Sequence, residues 1–381
     1  MQSFEKAHRV GRFRKVGAYF LMFPSNDYVP ILKGKDGEYG ALESMSSEEK
    51  ERITPLIEIP PVPWDHTNDV LEKTIDQHLL KVDRKLEKSW GMHQPFFVDL
   101  MWISERERMS DGTHPVAHVF SRVRLRALKA IPVTGLIRTD DYQMACREII
   151  ETDKRGVCLR LQKDDFDGQD TLETAVTKLL GSLRVSPTDT DLVLDLGSLH
   201  PETGEESSID VVSLVKSIPF PRKWRSVVLA ATGFPVDLMG LPPSEISTVR
   251  RLEWALWCSI ASDTRIARTP TFGDYAIAHP QPPEVDPRLM RPSASIRYTS
   301  EDVWLILKGK NLRDHGYKQF HDVSKILLKN AAYSGPEFSW GDRYIKDCAN
   351  RLVSSGNLTT WRKVGTSHHI AYVMQQIANH A

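Results

Sequence analysis

Cysteine is scarce in this chain of 381 residues: the four present are Cys146, Cys158, Cys258 and Cys348. None forms a CxxC pair, so the usual spacing of a structural zinc site is missing. Cys158 and Cys258 fall in apolar runs and read as buried thiols. Scattered, unpaired cysteines fit a reducing setting, and a cytoplasmic protein is expected. Long hydrophobic runs are also lacking: nothing approaches the roughly 18 apolar residues of a membrane span, so no membrane association is expected. The N-terminal stretch 1–27 is basic, without the apolar core of a secretory signal, and reads as a solvated surface arm. An excess of one charge is lacking too, since 50 Lys and Arg balance 50 Asp and Glu. No global field therefore favours nucleic acid, and only a local patch such as Arg9, Arg12, Arg14 and Lys15 would serve. GxSxG, HExxH, the P-loop, the EF-hand loop and RNP-type motifs are all missing, which removes the familiar routes to a named chemistry.

What the chain does have is eight short apolar runs, each ending in or running into a polar or charged residue. Lys33 closes YVPILK, Glu58 sits in TPLIEIP, Asp99 in FFVDL, and Arg138 closes IPVTGLIR. Arg160 sits in GVCLRL, Asp195 in DLVLDL, Thr232 follows SVVLAA, and Asp274 sits in TFGDYAI. Apolar strands separated by helix-forming segments predict an α/β fold, and eight units predict a (β/α)8 TIM-like barrel. The alternative is an open doubly wound sheet, but its dinucleotide form needs a GxGxxG turn that is absent. The long amphipathic stretch 68–90 predicts one helix capped by Thr67 or Asn68. Pro242 and Pro243 followed by Ser244 and Glu245 predict a helix over 244–260. The barrel is expected over 28–280 and a Pro-rich connection over 281–292. A C-terminal α+β elaboration over 293–381 begins with a hairpin, is packed on the barrel, and ends in a helix starting near Ser367.

In such a barrel the strand ends converge on one mouth. Glu58, Asp99, Asp195 and Asp274 would there act as catalytic carboxylates or hold a divalent cation, which prefers oxygen ligands. Lys33, Arg138 and Arg160 would bind an anion, the arginines bidentately. A mutually satisfied ion-pair network plugging the mouth uses the same residues without any chemistry. The C-terminal segment adds Trp340, Asp342 and His369. Neighbouring His368 and His369 would point about 100° apart on a helix, so at most one would face a given site.

YVPILKGKDGEYGAL followed by ITPLIEIPPV, with FFVDL, FGDY and FSWGDRYI…TWRKVGTSHHI, resembles the beta protein family of phages and bacteria. The likeness spans about residues 28–372. It implies a product of phages, prophages or defence-associated loci, and it implies that 293–381 belongs with the barrel. It supplies no catalytic assignments. Two functions are therefore expected. One is metal-assisted hydrolysis of a phosphorylated or nucleotide-type substrate at an anion-binding mouth. The other is non-catalytic recognition, as a sensor, inhibitor or scaffold subunit with a protein partner.

Overall fold

The computed structural model describes residues 27–166, 171–199, 210–281 and 289–380. The basic arm, except Asp27, and most of the Pro-rich connection lie outside these residues. Thirteen strands occur among them. In chain order they are β1 (Tyr28–Leu32), β2 (Leu56–Glu58), β3 (Trp64–Asp65), β4 (Val70–Leu71), β5 (Phe96–Asp99) and β6 (Ala130–Thr134). They continue as β7 (Val157–Gln162), β8 (Thr190–Ser198), β9 (Ser226–Thr232), β10 (Ile246–Arg250), β11 (Thr271–Asp274), β12 (Ser293–Thr299) and β13 (Val303–Asn311).

Eight of them close a parallel barrel in the order β1-β11-β9-β8-β7-β6-β5-β2, and helices lie between successive strands. This is the expected (β/α)8 barrel. Its strands are rich in Val, Ile, Leu and Phe because both faces are buried, which suits a parallel sheet. Val29, Ile31, Leu56, Phe97, Ile131, Val133, Cys158, Val193, Val228 and Ala230 fill the interior. Tyr28, Ile57, Val98, Leu159, Leu194 and Phe272 point outward to the helices. Gly273 faces inward, where an added Cβ would meet Val228 Cγ1 at 2.9 Å and Ala230 Cβ at 3.1 Å.

The C-terminal elaboration is the expected hairpin, β12 and β13, extended by β10 into a three-stranded antiparallel sheet. The segment 244–260 is thus not one helix. Ile246–Arg250 carries three β-branched residues, Ile246, Thr248 and Val249, and pairs with β13, and the helix is confined to Leu252–Ala261. The stretch 68–90 also divides, into β4 and two short helices, Ile75–Leu79 and Val82–Ser89, the first capped by Thr74 rather than Thr67 or Asn68.

The last helix, Leu358–His380, has 23 residues and begins nine residues before Ser367. Asn357 Oδ1 accepts from Thr360 N at 3.0 Å and acts as the cap. At 1.5 Å per residue this helix is about 34 Å long, enough to serve two cores. Trp361 and Val364 belong to the core of the C-terminal sheet. Ile370, Val373, Met374 and Ile377 belong to the barrel's outer layer, where they complete the helical ring. His368 and His369 lie at the junction.

Candidate functional site

The barrel interior ends at its mouth in a charged layer with Arg160 at the centre. Arg160 is on β7, and its side chain is 1% exposed. Its Nε and Nη2 donate to Asp195 Oδ2 at 3.0 and 2.7 Å, and Nη1 donates to Asp99 Oδ2 at 2.9 Å. Nη1 also lies 2.9 Å from Glu58 Oε1, an ion pair outside hydrogen-bond alignment. Tyr275, the next inward residue after Gly273, accepts from Arg160 Nη2 at 2.8 Å and donates to Asp195 Oδ2 at 2.6 Å. Burial alone would push the guanidinium down. Tyr275, Asp195, Glu58 and Asp99 outweigh that cost and hold it above its ordinary value.

The other groups close around this hub. Glu58 Oε2 accepts from Lys33 Nζ at 2.6 Å and from Trp102 Nε1 at 2.7 Å. Lys33 also donates to the Pro280 carbonyl, and its ammonium lies over the rings of Trp102 and Tyr275. Asp99 Oδ1 takes the Met101 N–H at 2.9 Å and Arg138 Nη2 at 3.2 Å. Asp195 Oδ1 takes the Gly197 N–H at 3.0 Å. Three carboxylates thus face three cations, and most of their oxygens already accept protein donors. Arg138 Nε is the exception among the cations, buried with no hydrogen-bond partner.

Six of the seven expected mouth residues come together, and Asp274 does not. It directly precedes inward-facing Tyr275 and follows inward-facing Gly273, so strand alternation sends it to the outer face. There its Oδ1 accepts from the Tyr28 hydroxyl and from Ala276 N at 2.8 Å, and its Oδ2 meets His369 Nε2 at 2.8 Å. His369 Nδ1 meets Thr299 Oγ1 at 2.7 Å. Burial pushes the imidazole below its ordinary value, with the Asp274 charge opposing. Neutral His369 fits its partners: Nε2–H donates to Asp274 and Nδ1 accepts from the threonine hydroxyl. The order Thr–His–Asp resembles a nucleophile relay, but all three side chains are fully buried at the junction of two cores.

Asp342 does not join His369. It faces His368, whose Nδ1 is 2.9 Å from Asp342 Oδ2 and whose Nε2 is 2.8 Å from the Thr299 carbonyl. Its two nitrogens thus face a carboxylate on one side and a backbone carbonyl on the other. The two histidines therefore point to different partners, as the helical spacing requires. Trp340 is elsewhere again, stacked on Tyr344 with Lys363 Nζ 3.7 Å above its ring. Tyr28, Tyr275, Arg251, Glu253 and Thr299 were not singled out from the sequence. Of these, Tyr275 lies two residues after Gly273 in FGDY, and so on the same strand face.

Arg251 and Glu253 extend the outer cluster. Arg251 Nε donates to Glu253 Oε1 at 3.2 Å, and Glu253 Oε2 accepts the Gly233 N–H at 2.9 Å. Burial raises the Glu253 carboxyl to about 7, with Arg251 opposing and Asp274 adding. Among the described residues, no three His, Cys, Asp or Glu side chains are grouped to hold a metal ion.

The family model described as Beta protein matches residues 28–375, from the first barrel strand almost to the end of the shared helix. The chain belongs to the beta protein family. No curated protein matches this beta protein family member. Among solved structures it is similar to a mutant tryptophan synthase alpha-subunit from the hyperthermophile Pyrococcus furiosus. The identity is 13%, covering 55% of this chain and 88% of that chain, with a TM-score of 0.26. No helix among the described residues is long and apolar enough to cross a membrane.

Proposed function

We propose that this beta protein family member acts by recognition, as a sensor, inhibitor or complex subunit in phage–host conflict, with the barrel as its rigid frame. The observation that carries this reading is the commitment of Arg160 to Glu58, Asp99 and Asp195 together. Metal-assisted hydrolysis needs carboxylate oxygens turned toward a cation or a water. Asp99 and Asp195 instead spend both oxygens on protein donors, and Glu58 divides its own between Lys33, Trp102 and Arg160. Such a layer ties the ends of barrel strands to one another and offers a fixed floor beneath the mouth loops. The phage–host setting is supported by the family resemblance.

The test is turnover by the full chain of a panel of phosphomonoesters, phosphodiesters and nucleotides, with magnesium or manganese, alongside Asp99→Asn. Recognition predicts the same background rate for both proteins. Metal-dependent turnover that Asp99→Asn abolishes while staying folded would replace this reading with the hydrolytic one.

A further inference from the structure

A cavity of 260 Å³ lies where the residues just after the helix Asp36–Glu43, the start of the helix Trp340–Ala349 and the middle of the last helix meet. None of the charged residues of the mouth lines it. Ser367, Ile370, Ala371 and Met374 supply one wall. Their i, i+3, i+4 and i+7 spacing sets the four side chains on one face of the last helix. Met45 and Phe338 add apolar surface. The volume is just below the usual range of ligand sites, about 300–1,000 Å³, so its occupant is small.

The polar side of the cavity suits a negative group. The helix Trp340–Ala349 borders it through its N-cap, Ser339, and through Trp340. Ser339 Oγ accepts the Asp342 N–H at 3.2 Å, and the Trp340 and Gly341 N–H groups of that first turn have no partner within the helix. Such an end attracts anions. Ser367 adds an independent feature. It is 8% exposed, it lines the cavity, and among the described residues its hydroxyl makes no hydrogen bond. A nearly buried hydroxyl left unpaired is costly, and a ligand oxygen removes that cost. Arg343 also lines the cavity. Its Nη2 meets Glu337 Oε2 at 2.8 Å, but their side chains are 60% and 82% exposed, and such a surface pair contributes little. The other acid of the lining, Glu49, accepts the Ser46 N–H at 2.7 Å as part of a helix cap. Asp342 does not line the cavity and is engaged by Ser339, Tyr298 and His368.

We propose that this cavity binds a small monocarboxylic acid with an apolar chain. The carboxylate lies at the start of the helix Trp340–Ala349, where it accepts from the Ser367 hydroxyl and from the Arg343 guanidinium, whose fork suits two carboxylate oxygens. The chain lies along Met45, Ile370, Ala371 and Met374, which bury it from water. The site stands apart from the mouth. Turnover at the mouth would end the recognition reading and leave this one intact.

Calorimetric titration of the full chain with hexanoate, and with hexanol and hexylamine as its neutral and cationic counterparts, tests the site. Hexanoate should saturate, and the other two should not. Ser367→Ala and Arg343→Gln should each weaken hexanoate binding at least about tenfold, the loss expected for one charge-assisted hydrogen bond. Arg343 is exposed and the Ser367 hydroxyl gives up no protein partner, so both variants keep the fold, which thermal midpoints check. Absence of saturation by hexanoate, equal binding of hexanol or hexylamine, or hexanoate binding that either folded variant leaves unchanged overturns the proposal.

Discussion

His369 Nε2 donates to Asp274 Oδ2 across 2.8 Å, and this bond ties the last helix to the strand that closes the barrel. The contact joins residues 95 positions apart at a site excluded from water. It makes the C-terminal segment part of the barrel's own closure.

His369→Ala removes that donor and leaves both a void and a carboxylate short of one partner. The expected loss is about 3 kcal/mol, from a hydrogen bond to a charged acceptor plus a cavity. Urea unfolding of the full chain measures it. An unchanged midpoint would show that the helix is held by its apolar face alone.

Two groups in this outer cluster titrate with opposite sign. His369 is depressed below 6.5 in the fold, chiefly by burial. On acidification the unfolded chain takes up its proton first, so the His369 contribution is present above about pH 6.5 and is lost as pH falls. Glu253 is raised from 4.5 to about 7, chiefly by burial. The unfolded chain ionises first, so the Glu253 contribution is present below about pH 4.5 and is lost as pH rises through 7. Thermal midpoints against pH should show Glu253→Gln gaining on the wild type between pH 4.5 and 7. His369→Ala should gain on it below 6.5. Parallel curves would contradict both.

Gly341, the second residue of the helix Trp340–Ala349, lies where two helices nearly touch. A Cβ there would sit 2.3 Å from the Val364 carbonyl oxygen, which is backbone and cannot step aside. Gly341→Ala should cost about 1–3 kcal/mol through overpacking. Gly181, inside the helix Leu172–Leu183, has open space around it. Gly181→Ala should instead stabilise by up to about 1 kcal/mol. Calorimetric midpoints of the two variants should move in opposite directions.

The barrel was legible because each apolar run is short, is followed by a helix-forming segment and ends in a polar or charged residue. The same pattern located Lys33, Glu58, Asp99, Arg138, Arg160 and Asp195. It failed at Asp274 because a shift of one residue in a strand reverses the facing side. Gly273, having no side chain, gives no apolar signal to set that phase. Tyr275 was missed for the same reason. Strand β10 was hidden by helix-start residues before it, and its partner β13 lies more than 50 residues away. The last helix was started too late because Ser367 looks like a cap, whereas Asn357 is the residue that caps. Arg251 pairs with nearby Glu253, but its other partners, and those of Thr299, come from distant segments.

The claim that the mouth carboxylates hold the fold is tested most directly by the unfolding free energies of Glu58→Gln, Asp99→Asn and Asp195→Asn. Each removes a counter-ion from buried Arg160, and a broken buried pair costs about 3–5 kcal/mol. The account predicts a loss of stability in all three. A gain in stability, as often follows when strained catalytic groups are neutralised, would contradict it and return the mouth to the hydrolytic reading.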